Sequence, residues 1–130
     1  MLTFTRPDGA PVKIDAVHVL RARRTISGED QPGGTRIDWA ETQIVRESIE
    51  TVGPAIKAAH PSFTFITTHD GSKVWFDAKK VQGPLEPPPS QIAHGYLSSM
   101  KLMGYRQYAR QTMQELAAII DAAGGKPLPV

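Results

Sequence analysis

DGAPVKIDAVHV at residues 8–19 and DGSKVWFDAKKV at residues 70–81 align without a gap. They share Asp8/Asp70, Gly9/Gly71, Val12/Val74, Asp15/Asp77, Ala16/Ala78 and Val19/Val81, six positions in twelve. An internal repeat of this kind sets the architecture before any single element is read, because each copy is one supersecondary unit. Just upstream, Leu2-Thr3-Phe4 resembles Phe63-Thr64-Phe65, with one extra residue in the second copy. Downstream, RESIETVGPAIKAA (46–59) lies over RQTMQELAAIIDAA (110–123). There Ile56/Ile120 and Ala59/Ala123 are identical, Ile49/Met113 and Val52/Leu116 stay apolar, and Ser48/Thr112 are both N-cap residue types.

Each copy reads as strands followed by a helix. Residues 2–6 alternate, Pro7-Asp8-Gly9 is a turn signal, and residues 12–14 return, so the copy opens on a hairpin whose Gly9 supplies a positive φ. The second copy repeats this with residues 63–67, His69-Asp70-Gly71 and residues 74–76. Asp15-Ala16 and Asp77-Ala78 interrupt the run, because Asp is a poor strand former and turns the backbone through its own carboxylate. A further strand is expected over residues 17–23. Its counterpart should fade, since Gly83-Pro84 and Pro87-Pro88-Pro89 cannot supply ladder hydrogen bonds. Second hairpins are expected at residues 35–39 with 43–46 and at residues 99–103 with 106–110. A closing helix follows each. Thr112 and Glu115 have capping-box spacing, and Met113, Leu116, Ala117, Ile120 and Ala123 share one face before Gly124-Gly125 stops the helix. The first helix contains Gly53-Pro54, which should kink it or delay its start.

These elements predict an α+β fold of two tandem strand-rich repeats, residues 1–61 and 62–125, with a loose tail at 126–130. A unit of half this length would be marginal alone, so the copies are expected to share one core about an approximate twofold axis, as one compact domain.

At 130 residues, with 40% apolar and 22% charged side chains, the composition is that of an ordinary globular chain. Fifteen basic against thirteen acidic side chains leave a net charge of only +2, a weak signal for nucleic acid. The absence of cysteine excludes a disulfide framework and thiolate metal ligands. No stretch approaches the ~20 apolar residues that span a bilayer, and the N-terminal sequence lacks a signal-peptide pattern, so a soluble, cytoplasmic protein without a membrane partner is expected.

TRPDGAPVKID and IVRESIETV stand in an order of strand, Asp-Gly turn, strand ending in Asp, further strand, hairpin, Arg-Glu-Ser and amphipathic helix. This order resembles the small FlbD proteins associated with bacterial flagellar gene clusters. The second copy keeps DGSKVWFDA but has ARQTMQEL where Arg-Glu-Ser would stand, so it resembles the family mainly through the first. The resemblance implies a motility association and brings no catalytic or binding residue with it.

His18, His60, His69 and His94 are scattered without His-x-x-x-His spacing, which predicts structural roles and no metal site. Asp15 and Asp77 would be symmetry mates able to face each other as an acid/base pair, but each already has a local reason as a strand-ending residue. No nucleophile elbow, phosphate-cradling loop or Rossmann fingerprint is present. The sequence therefore assigns no catalytic residue, no metal ligand and no cofactor. Arg21, Arg23 and Arg24, with Trp75, Lys79 and Lys80, are the candidate interaction edge: basic side chains on a strand beside an aromatic ring. The leading expectation is a non-enzymatic interaction or structural protein that binds a protein partner or forms a homodimer by strand addition. A nucleic-acid-binding accessory factor is the alternative and a small hydrolase a distant third.

Overall fold

The computed structural model describes residues 1–130, and its two Asp-Gly turns are built alike. Strands β1 (Leu2–Thr5) and β2 (Pro11–Ile14) turn through Gly9 at φ 93°, while β6 (Phe63–Thr67) and β7 (Lys73–Asp77) turn through Gly71 at φ 83°. Only glycine adopts such a φ without a steric penalty. In the first turn the Arg6 N–H donates to the Ala10 carbonyl at 2.8 Å, and the Asp8 carboxylate accepts the Ala10 N–H at 2.8 Å. In the second, the Thr68 N–H donates to the Ser72 carbonyl at 2.9 Å and Asp70 accepts the Ser72 N–H at 3.0 Å. Because the turns match, the register beyond them matches too. Leu2 faces Ile14 and Phe4 faces Val12, as Thr64 faces Phe76 and Ile66 faces Val74. Thr64 therefore stands in the place of Leu2, and the extra residue expected before the second turn does not exist.

The remaining elements are a 3₁₀ turn at Ala16–His18, β3 (Arg21–Arg24), β4 (Thr35–Asp38), β5 (Thr42–Val45) and α1 (Ile49–Ala59), then β8 (Gln82–Leu85), the short α2 (Pro89–Ile92), β9 (Ser98–Leu102), β10 (Tyr105–Ala109) and α3 (Met113–Ala122). Hairpin, strand, hairpin, helix thus occurs twice, with α2 added before β9. Long-range bonds recur with it. The Arg46 N–H donates to Thr5 and the Arg110 N–H to Thr67, both at 2.8 Å. The side chains of Glu47 and Gln111 accept the Thr5 and Thr67 N–H groups at 2.9 and 3.0 Å.

Three expectations need correction at this level. The strand after β2 begins at Arg21, because a 3₁₀ turn takes up Ala16–His18. Helix α1 runs unbroken through Pro54, whose missing N–H removes one hydrogen bond close to the helix start, while buried Val52 and Ile56 anchor the turns on either side. The tail is tied down, since the Leu128 N–H donates to the Gly83 carbonyl at 2.7 Å. At the caps, Thr112 and Glu115 form the full capping box, whereas Ser48 occupies the N-cap position without a side-chain cap bond.

The fold is α+β with antiparallel pairing throughout. A central sheet has the order β5-β4-β3-β7-β6, joined across the two halves where Ala22 faces Trp75. Strands β10-β9-β8 form a second sheet and β1-β2 a third. Successive strand residues point to opposite faces, and β7 shows the consequence. Trp75 joins an apolar cluster with α1 and the first hairpin, while Val74 and Phe76 join another with α3 and β9. The expected single shared core is thus two clusters on the two faces of one sheet.

The counterpart of the β3–β7 junction would be β8 against β2, and it is absent. Pro84 stands where β3 has Ala22 and has no N–H to donate, and the tail occupies the neighbouring Gly83 carbonyl. Strand β8 does form, as an edge strand paired to β9 with a register shift between Gln82 and Leu85. No helix is long and apolar enough to cross a membrane.

Candidate interaction face

Strand β3 presents Arg21 and Arg23 on the face away from Ala22, and β4 presents Arg36 and Asp38 opposite them. The register sets Arg21 against Asp38, and Arg23 against Arg36. Arg21 donates to Asp38 through Nε and Nη2, each at 3.0 Å. Arg36 Nε also reaches Asp38, at 3.0 Å. Two like charges directly across a ladder repel, and Asp30, from the β3–β4 loop, lies between them. It accepts from Arg23 Nη1 at 2.9 Å and from Arg36 Nη1 at 3.0 Å. The result is an alternating chain of Arg21, Asp38, Arg36, Asp30 and Arg23, with three cations and two anions.

Burial makes these pairs count. The side chains of Asp38 and Asp30 are 1% and 2% exposed and those of Arg21 and Arg23 8% and 10%, so removing one partner would leave a desolvated charge. Burial pushes the Arg21 guanidinium down, against the attraction of Asp38. For Asp30, burial works to raise the pKa, but the Ile26 N–H and the guanidinium groups of Arg23 and Arg36 outweigh it and hold the carboxyl below its ordinary range. At the far end, Arg21 Nη1 donates to Gln107 at 3.1 Å, and its guanidinium carbon sits 5.6 Å from the centroid of the exposed Tyr105 ring.

Beside this chain lies a cavity of about 220 Å³, bounded by Arg23, Arg24, Ile26, His69, Val74 and Tyr96. The Tyr96 hydroxyl and His69 Nδ1 are 2.6 Å apart, with the rings edge to face, and Tyr96 lies against Tyr108 with centroids 5.6 Å apart. Arg24 is ion-paired with Asp70 at the rim. The Thr68 hydroxyl and the Ser72 N–H hold the Asp70 carboxyl well below the usual carboxylate range. Ile26, Ile92, Leu97 and Tyr105 are exposed large apolar side chains.

The six residues read from the sequence as an interaction edge do not form one. Arg21, Arg23 and Arg24 lie on β3, which has a neighbour on each side, so it offers no free backbone edge. Trp75 is buried on the opposite face, stacked at 5.9 Å on Phe63. Lys79 and Lys80 are exposed in the turn after β7. Gln43 on β5 and Gln107 on β10 each donate their side-chain amide to the next residue's carbonyl, at 2.8 and 3.1 Å. Strand β2 carries Pro11 and Lys13, residue types that discourage edge pairing. Residues 21–24 therefore have no free backbone edge for strand addition. Sequence reading missed Asp30, Arg36, Asp38, Tyr96, Tyr105 and Gln107. The alternations Arg21-Ala22-Arg23 and Arg36-Ile37-Asp38 were the available signal, since both place charge on one face of a strand.

The histidines are held separately. His18 is 3.3 Å from Asp15, His60 Nε2 is 2.9 Å from Asp77, His69 contacts Tyr96, and His94 is exposed. Asp15 and Asp77 do not face each other. Asp77 is buried, accepting from the Ser62 hydroxyl at 2.7 Å and the Lys79 N–H at 3.0 Å, whereas Asp15 is exposed. Nowhere do three His, Asp or Glu side chains gather as a metal site would require. The chain matches no family model, no curated protein and no solved structure.

Proposed function

We propose that this chain is a tandem duplication of a small FlbD-like unit, arranged with approximate twofold symmetry, and that it works as a non-enzymatic protein-interaction module. Recurrence of the same turn, bridging and helix-entry bonds in both halves supports the duplication. The observation that carries the interaction reading is the face above β3 and β4. It combines arginine and tyrosine, side chains that anchor protein interfaces, with the exposed Ile26. Its arginine and aspartate groups are engaged with one another. The nucleic-acid alternative loses its stacking surface, because Trp75 and Phe76 are inside. The FlbD resemblance directs the search for the partner to flagellar proteins, with a further copy of this chain also a candidate.

Tagged protein recovered from its host under crosslinking provides the test. A defined partner should be retained by Lys79→Glu/Lys80→Glu and lost from Tyr96→Ala/Tyr105→Ala, while light scattering reads self-association. Binding of a single-stranded oligonucleotide that falls steeply between 50 and 200 mM salt, untouched by the tyrosine changes, would overturn the reading.

A further inference from the structure

The Arg23/Arg36 pair is a site for a carboxylate, and the protein fills it from its own chain. Directly opposed arginines on adjacent strands need an anion between them. Asp30 supplies it with one carboxylate oxygen to each guanidinium, an arrangement that fixes a carboxylate's position as well as its charge. The segment that carries Asp30 is otherwise weakly attached. Residues 26–29 and 31–33 are exposed, so they bury little apolar surface. Apart from Asp30, residues 27–33 are held by the Glu29 N–H donating to the Ile26 carbonyl at 3.1 Å and by the Thr25 hydroxyl donating to the Gly33 carbonyl at 2.7 Å, and beyond them the Gly34 N–H pins the segment's end to the Val45 carbonyl at 2.8 Å. Gly28, at φ 88° with open space around it, gives it a point at which the backbone can swing.

Lifting this strap would uncover Arg23, Arg36 and Ile44. A Cβ added at Gly33 would overlap the Ile44 side chain, which shows how closely the strap lies on it. The uncovered surface would hold two cations side by side next to an aliphatic patch.

We infer that residues 27–33 are an internal stand-in for a partner, and that the Arg23/Arg36 site accepts an acidic peptide segment when the strap is displaced. This rests on the protein-interaction reading and names the chemistry of the partner. Glu29-Asp30 in the strap is the pattern such a segment would present, paired carboxylates between Ser27-Gly28 and Gln31-Pro32. The strap acts as a competitor at high effective concentration, on the order of millimolar for a short tether. A partner must therefore either offer more contacts or meet the chain with the strap already open.

The probe is a capped peptide of residues 26–34, ISGEDQPGG, titrated against Asp30→Asn, whose strap has lost its carboxylate. Fluorescence anisotropy should show binding at least tenfold tighter than to the wild-type chain. A peptide carrying Asn at the Asp30 position, or an Arg36→Gln change in the Asp30→Asn background, should reduce that binding at least tenfold. Circular dichroism checks that each variant is folded. If Asp30→Asn does not fold, hydrogen exchange on the wild-type chain gives the same information. Amides of residues 27–33 should exchange faster in ~10 mM peptide, above the local concentration of the tethered strap. Equal binding of the two peptides to folded Asp30→Asn, or unchanged exchange in the wild-type chain, overturns the inference. A partner captured through Tyr96 and Tyr105 in the same preparation would leave the broader interaction reading standing.

Discussion

Gly53→Ala should destabilise the protein even though it places a better helix former inside a helix. In an exposed helix the change would stabilise by about 1 kcal/mol. Here Gly53 is buried against the indole of Trp75. A Cβ at this position would overlap Nε1 and Cε2 of that ring and lie 2.6 Å from Cδ1, where ordinary contact begins near 3.4 Å. Either the helix or the ring must give way by about an ångström. The ring has little freedom, being stacked on Phe63 at 5.9 Å and tilted against Phe65 at 4.9 Å. Overpacking of this kind costs about 1–3 kcal/mol. The clash outweighs the propensity gain at all but the lowest end of that range, leaving a net loss of up to about 2 kcal/mol. Thermal unfolding followed by circular dichroism should show a melting temperature lower by up to roughly 8 °C. The decisive control is a double-mutant cycle with Trp75→Leu, which removes the indole. In that background Gly53→Ala should become neutral or stabilising. If Gly53→Ala alone raises the melting temperature, the packing of α1 on β7 described above is wrong.

Three further outcomes are expected. Leu116→Ala and Ile120→Ala, truncating side chains 0% and 1% exposed, should each cost about 2–5 kcal/mol in denaturant titrations, and a loss below ~0.5 kcal/mol for both would mean that α3 is peripheral. Asp77→Ala should cost about 1–3 kcal/mol by stranding the Ser62 hydroxyl and the Lys79 N–H, while Asp15→Ala at the matching position of the first half should stay within about 0.5 kcal/mol; equal effects would contradict the burial difference. Burial works to raise the Glu47 carboxyl, but bonds from the Thr5 N–H and hydroxyl hold it below its ordinary 4.5, as the arginines and the Ile26 N–H hold Asp30 below 3.8. A carboxylate with a depressed folded pKa contributes stability above its unfolded value and loses it as pH falls through the folded one. The urea midpoint should therefore fall as pH drops below about 4.5, less steeply in Glu47→Gln, and a midpoint flat down to pH 2 would refute the assignment.

Local chemistry carried the legible part of the fold. The two Asp-Gly hairpins, the Thr112/Glu115 capping box and the order of elements in each half were readable because each depends on bonds within a few residues. Even the misread register before β6 follows from the turn once the turn's bonds are counted. The candidate site was only half legible. Arg21 and Arg23 stood out as basic residues on a strand, but their meaning reversed once β3 proved to be an interior strand. Asp30 gave no signal at all, since a lone Asp in a Gly/Pro loop is ordinary turn chemistry.

The sequence by itself determined which segments turn, extend or coil, and that the two halves are built in the same order. Tertiary structure decided how the halves meet. Strand pairing between distant segments depends on which edges remain free after local folding, and any unpaired edge offers nearly the same donors and acceptors. Pro84 and the tail at Leu128 occupy the place of one junction, while β3 and β7 pair at the other. That single pairing put Trp75 inside and made β3 an interior strand. The cross-strand register with β4 then opposed Arg23 to Arg36, the arrangement that needs Asp30 between them.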